Sequence, residues 1–357
     1  MSKFKIIVIV GFFCLLSCDS INIGNENIQI TRDRLASLKH KNIGFSWRKF
    51  QEKKSNRNLD SSFILLDSAY TGLTFKNPFN PDDQHRSQLK NSFIASGVAI
   101  GDYDGDGLPD IFLTRQQDGG VLYKNLGGLK FEDVTEKLGL IDNDSWSTGA
   151  TFVDINNDGL LDLYVCGFDS PNRLYINEKT KFKEKAKEFG LDFSGASISM
   201  AFADYDCDGD LDAYLLTNRS LPASAVDKVK FIRQKDRSLA VHPESSELGY
   251  FVKPPKRMQI LVPAGQYDYL FRNDGDKFVD VTVESGIGRK PYYGLSAIWW
   301  DYNNDGFPDL YVANDYIGPD HLFRNNGYNK NGNITFTDVI ADALPHTPWF
   351  SMGADFS

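Results

Sequence analysis

Four nine-residue stretches of one pattern constrain this chain more than anything else in it. They read "DYDGDGLPD" from Asp102, "DINNDGLLD" from Asp154, "DYDCDGDLD" from Asp204 and "DYNNDGFPD" from Asp301. All fit D-x-[DN]-x-D-G-x-x-D, with side-chain oxygens at the first, third, fifth and ninth places and glycine at the sixth. A turn needs one or two such residues, and a chance acidic turn would not keep four oxygens and a glycine in register four times.

Carboxylates at alternate places of a tight loop converge on one point, and glycine permits the bend that brings them together. Without a cation they repel one another at short range. Calcium, a hard cation taking six to eight oxygens in flexible geometry, is the expected occupant, about one ion per loop and four in all. The expected side-chain ligands are Asp102, Asp104, Asp106 and Asp110; Asp154, Asn156, Asp158 and Asp162; Asp204, Asp206, Asp208 and Asp212; Asp301, Asn303, Asp305 and Asp309. The seventh-place backbone carbonyls of Leu108, Leu160, Asp210 and Phe307 are expected to complete each set.

These are not EF-hands, which need a bidentate Glu at the twelfth place. Here that place holds Leu113, Val165, Leu215 and Val312. The segments after the loops ("DIFLT", "DLYVC", "DAYLLT", "DLYVAND") are β-branched and aromatic, so each loop is expected to join two strands. Two further elements recur. "LYKN", "LYIN", "LFRN" and "LFRN" end at Asn125, Asn177, Asn273 and Asn325; "FEDVT", "FKEKA", "FVDVT" and "FTDVI" start at Phe131, Phe182, Phe278 and Phe336. Loop starts lie 52, 50 and 97 residues apart, the long interval reflecting an insertion of 46 residues, around 219–264, in the third unit. Four short strands at a period near fifty predict an all-β fold, a β-propeller of four-stranded blades.

From each Phe to the next loop the count is 23, 22 and 23; from Phe336 it reaches a position near 358. The expectation is a fragment cut before a fifth loop, with about four complete blades and part of a fifth. Residues 63–73, "FILLDSAYTGL", are similar to "FEDVTEKLGL" and are expected to be an outer strand of a preceding blade, available to pair with the last blade and close a ring.

With "GVAIGDYDGDGLPDIF" at 97–112, the loops and the two companion elements resemble the FG-GAP/VCBS-type repeat propellers, over roughly 61–357. The resemblance implies an integrin-α-like head with calcium loops on one face and partners on the other. The sequence departs from that pattern in the third-unit insertion and in "FKEKA".

Residues 1–18, "MSKFKIIVIVGFFCLLSC", pair Lys3 and Lys5 with an apolar run of eleven, the shape of an export signal and too short to span a bilayer comfortably. "LLSC" resembles the bacterial lipobox, which implies lipidation at Cys18, membrane tethering through that anchor and an outer-membrane lipoprotein facing the periplasm or the cell surface. Residues 19–60 read as a polar tether, and 61–357 as the propeller.

The net charge of −9 shows no basic face, which disfavours nucleic acid. A basic patch, "DKVKFIRQKDR" and "KPPKR", lies in the insertion. Cys166 and Cys207 imply no disulfide framework, and Cys207, at a fourth place, reads as a tolerated variable position pointing away from the metal. Trp146, Trp299, Trp300 and Trp349 fall near the inner strands as packing residues. His40, His85, His242, His321 and His346 share no repeat position, and no nucleophile elbow or zinc-protease helix motif is present. The reading is a non-enzymatic, monomeric binding module for a glycan or surface protein, as in adhesion. A polysaccharide lyase on the same scaffold and an envelope assembly scaffold are the alternatives.

Overall fold

A computed structural model describes residues 21–23, 26–28, 65–77, 96–143, 145–219, 221, 223–252, 259–275, 277–315, 318–348 and 350–355. The chain divides after Leu65 into two units. In the first, β1 (Ile21–Ile23) and β2 (Glu26–Ile28) form an antiparallel hairpin. Cys18 and most of the export signal and tether lie outside the described residues.

The second unit is a β-propeller built from antiparallel four-stranded repeats. The first comprises β3 (Val98–Gly101), β4 (Asp110–Thr114), β5 (Gly120–Asn125) and β6 (Phe131–Asp133), paired in chain order. The second comprises β7 (Ser147–Val153), β8 (Asp162–Pro171), β9 (Arg173–Asn177) and β10 (Phe182–Glu184). The third starts with β11 (Ser194–Ala203) and β12 (Asp212–Thr217). Its insertion forms two hairpins, β13 (Phe231–Arg233) with β14 (Leu239–Val241) and β15 (Gly249–Val252) with β16 (Ile260–Pro263). The repeat then resumes with β17 (Tyr269–Asn273) and β18 (Phe278–Asp280). The fourth comprises β19 (Tyr293–Trp300), β20 (Asp309–Asp315), β21 (His321–Tyr328) and β22 (Ile334–Asp338). The long β8 also pairs with the start of β11, joining the second and third repeats in one sheet.

The core lies between successive repeats, because the second strands of the second, third and fourth repeats are buried on both faces, while β4 is fully buried on one. In β8, Leu163 and Val165 pack with the first repeat, and Tyr164 and Cys166 with the third. In β12, Ala213 and Leu215 face the second repeat, while Tyr214 and Leu216 face the fourth. The period-two alternation thus assigns each neighbour one set of side chains. Trp146 packs on Phe168, and Trp299 stacks on Tyr205, as expected of packing residues.

Residues 65–73 depart from the expected outer strand. They hold one helical turn, Ser68–Thr71, capped by Asp67 and closed by Gly72 in left-handed conformation. Asp67 at the N-cap and glycine after the last turn favour that conformation over a strand. The kinship read from the sequence does hold in space. A Cβ on Gly72 would fall 2.2 Å from the Phe131 carbonyl oxygen. Gly190 and Gly286, which close the outer turns of the second and third repeats, approach the Phe278 and Phe336 carbonyls in the same way.

A buried tyrosine on the second strand of three repeats meets an Asx residue just before or at the start of the third strand. Asn172 Nδ2 donates to the Tyr164 hydroxyl, Tyr214 donates to Asp268 and Tyr311 to Asp320. Asn172 Oδ1 and the other carboxylate oxygens of Asp268 and Asp320 accept the amides of Gly167, Thr217 and Asn314. The first repeat has neither partner: Phe112 replaces the tyrosine and Gly120 the Asx, and a Cβ on Gly120 would clash with the Phe112 ring.

Burial pushes the Asp268 carboxyl up to about 7. The folded chain then holds a proton that the unfolded chain, titrating near pH 4, gives up. This contribution to stability is complete below about pH 4 and is lost as pH rises to about 7. Asp268→Asn, the residue of the second repeat, therefore gains on the wild type from pH 5 to pH 8, by several degrees in Tm at the upper end. Thermal unfolding at both pH values checks this; a constant difference would refute it.

Candidate metal centre

Each acidic loop folds on its own carboxylates. The first-place aspartate accepts the amides of the fifth and sixth places: Asp106 and Gly107 donate to Asp102 at 3.1 and 2.8 Å. Asp154, Asp204 and Asp301 repeat this. The fifth-place carboxylates of Asp106, Asp158, Asp208 and Asp305 accept the seventh-place amides of Leu108, Leu160, Asp210 and Phe307. The sixth-place glycines have φ from 84 to 101°, a region that favours glycine, which is why the motif holds it there.

The ninth-place aspartates do something different. Asp110, Asp162, Asp212 and Asp309 are buried. One oxygen of each accepts the second-place amide (Tyr103, Ile155, Tyr205, Tyr302). The other accepts the amide of Asn125, Asn177, Asn273 or Asn325 at 2.7–2.8 Å. Each oxygen keeps a lone pair, which is what the ligand role expected for these residues would use. Burial, with the neighbouring loop carboxylates adding to it, pushes Asp110 and Asp162 up to about 6 and Asp212 to about 8.

Two of the third-strand asparagines, Asn177 and Asn325, tie loop, strand and neighbour together. Asn325 Nδ2 donates to the Pro308 carbonyl in its own loop and to the Tyr205 carbonyl in the preceding one. Asn177 does the same with Leu161 and Tyr103. Sequence reasoning found these asparagines only as period markers. It did not foresee the contacts made from two of the fourth places. Asn157 Nδ2 donates to the Gly209 carbonyl and to Asp210 Oδ1 of the third loop, and Cys207 Sγ reaches the Gly306 carbonyl of the fourth at 3.6 Å. In the second and third loops the fourth-place side chain therefore faces the next loop. Polar residues tolerant of positive φ at that place were the available signal.

A hard cation suits two sets of groups directly. One oxygen from each of Asp102, Asp104 and Asp106 lies within 4.8 Å of the others, and Asp204, Asp206 and Asp208 converge likewise. In the second and fourth loops the third place is Asn156 or Asn303, whose amide donates to the fifth-place carboxylate. In the third loop Asp206 is 5% exposed, and its Oδ1 is buried with no hydrogen-bond partner. A buried carboxylate oxygen facing two further carboxylates is costly unless a cation meets it. The donor set, all oxygen and mostly carboxylate, fits calcium in kind.

With this geometry in place, the comparisons give the class. The fold and loops define a propeller of acidic-loop repeats. Residues 102–165 and 154–215 match the family model described as the FG-GAP-like repeat, and these repeats and the antiparallel sheets fit an FG-GAP β-propeller. Human cartilage acidic protein 1 is 27% identical over 193 residues, 53% of this chain and 28% of that protein. The Xenopus tropicalis protein of the same name is 26% identical over 121 residues, 33% of this chain and 19% of that protein. The chain thus aligns with under a third of the length of these curated relatives. A solved structure of an Agrocybe aegerita lectin, described as recognising non-reducing terminal N-acetylglucosamine, superposes at TM-score 0.29 and 18% identity, covering 69% of this chain and 66% of that one.

Asn325 is buried and its amide makes three bonds, counting the Gly327 amide onto Oδ1. Asn125 makes only the bonds within its own repeat. Asn325→Ala is expected to cost about 2–4 kcal/mol, and Asn125→Ala about 1 kcal/mol. Equal losses in urea unfolding would deny the cross-repeat staple.

Proposed function

We propose that this chain is a calcium-stabilised binding module held on a bacterial envelope, whose ligand is a glycan or a surface protein. The observation that carries the calcium part is Asp206: a buried, unpartnered carboxylate oxygen set among Asp204 and Asp208. The residues holding the ions are those of the four loops named above, with Asp102, Asp104 and Asp106 and Asp204, Asp206 and Asp208 the two convergent all-carboxylate groups. Bound calcium would neutralise carboxylates that otherwise repel, and so stabilise the hairpins at one end of each repeat. The binding role is supported by a repeat architecture that offers loop surfaces without a catalytic constellation in the sequence. The envelope location is supported by the lipobox resemblance around Cys18.

Calorimetric titration with calcium is expected to show uptake by the whole chain, and EDTA to lower Tm by at least about 5 °C. Asp206→Asn discriminates further. It places at the third loop the amide found at Asn156 and Asn303. The variant is expected to be more stable than the wild type in EDTA and to gain less from calcium. Absence of ion uptake by the wild type would refute the calcium reading. A glycan and envelope-protein panel probed with and without EDTA tests the ligand class, and loss of palmitate labelling in Cys18→Ser tests the anchor.

A further inference from the structure

The four loops share one scaffold but differ in what faces their fifth-place carboxylate. In the second and fourth loops the third-place amide does so, at 3.0 Å from Asn156 to Asp158 and 2.8 Å from Asn303 to Asp305. The first and third loops have aspartate at the third place, so no amide is available. In the first, a cation arrives from β5: Lys124 Nζ donates to Asp104 Oδ2 and lies 3.0 Å from Asp106 Oδ2. In the third, the residue at the place of Lys124 is Arg272, which forks onto Asp274 at 2.7 and 3.2 Å. Asp206 Oδ1 is left without a partner there. The second loop has Ile176 at this place, and in the fourth Arg324 turns to Asn326.

We infer that Lys124 is a built-in counter-cation of the first loop, a specificity-determining residue that competes with the metal for Asp104 and Asp106. This rests on the proposed reading that the loops take calcium. An ammonium on these carboxylates occupies lone pairs a cation would use and repels an incoming divalent ion, so an ion entering the first loop competes with Lys124 for its charge-assisted bonds. The flexible lysine stem permits the ammonium to retreat. The third loop, with the same four aspartates and no such ammonium, takes its ion without that penalty. The two all-aspartate loops therefore differ in affinity, the third tight and the first weak and displaceable. The first loop also stays organised without metal.

Lys124→Ile places in β5 the residue that the second repeat carries at this position, so the strand accommodates it. The test compares wild type, Lys124→Ile and Lys124→Gln by calcium calorimetry and by thermal unfolding in EDTA and in saturating calcium. Removing the ammonium is expected to tighten one weak site about tenfold or more. Both variants are expected to unfold at lower temperature than wild type in EDTA, with the deficit abolished or reversed in calcium. A surface ion pair of purely structural role would lower Tm equally in both buffers and leave the affinities unchanged. That result overturns the inference while calcium uptake stands. No uptake by wild type or variants overturns both this inference and the calcium reading.

Discussion

In every repeat one buried aspartate receives two backbone amides, one from its own loop and one from an asparagine of the third strand. Tyr205 and Asn273 thus meet on Asp212 although 68 residues separate them, and the insertion between them leaves the contact intact. Hydrogen bonds to a charged acceptor are worth about twice neutral ones, which is how a short motif can set strand register across such a gap. The cost is desolvation of the carboxylate, visible in the upward shift of Asp110, Asp162 and Asp212. A cation beside each of these groups would favour the ionised form that makes the lock strongest. Loop chemistry and blade geometry are then two aspects of one interaction.

The repeats are joined by the same polar devices at both ends of the sheet. At the loop end, Asn177 and Asn325 reach back to the preceding loop, while Asn157 and Cys207 reach forward to the next. At the outer edge, Gly72, Gly190 and Gly286 let the backbone lie against the phenylalanine carbonyl of the following repeat. Between these ends the apolar second strand is shared by both neighbours. Successive repeats are therefore held by directional contacts at their rims and by burial in the middle, and burial alone would not fix their angular order.

Much of this was legible because it is periodic. Loop places, the third-strand asparagine and the outer phenylalanine recur at near-fixed counts within the repeats, and in the first three repeats each marks a strand boundary, while Asn325 and Phe336 lie inside the longer β21 and β22. What escaped was set by contacts between repeats, which no single repeat displays. The fourth places, Gly105, Asn157, Cys207 and Asn304, all have positive φ, and at Asn157 and Cys207 the side chain reaches the next loop, a contact no single repeat displays. Residues 65–73 carried the right kinship and the wrong conformation, because the similarity lay in the turn after the outer strand and not in the strand itself. The fold of the insertion as two hairpins was also hidden, since Lys- and Pro-rich segments there give no clean alternation.

The differences among repeats say as much as their likeness. Phe112 and Gly120 are lost and gained together relative to Tyr164 with Asn172, Tyr214 with Asp268 and Tyr311 with Asp320. A buried tyrosine hydroxyl needs a partner, so an Asx is kept wherever the tyrosine is; without the hydroxyl, the Asx would only crowd the ring. The same logic orders the loops. An amide at the third place and an ammonium from β5 are two answers to one electrostatic problem, posed by a fifth-place carboxylate that every loop retains; the third loop, with Asp206 Oδ1 unpartnered, has neither. Repeats that are equivalent as scaffold are therefore inequivalent as sites. The inequivalence follows from single residues, Asn156, Asn303, Lys124 and Arg272, whose backbones occupy corresponding places in the repeats.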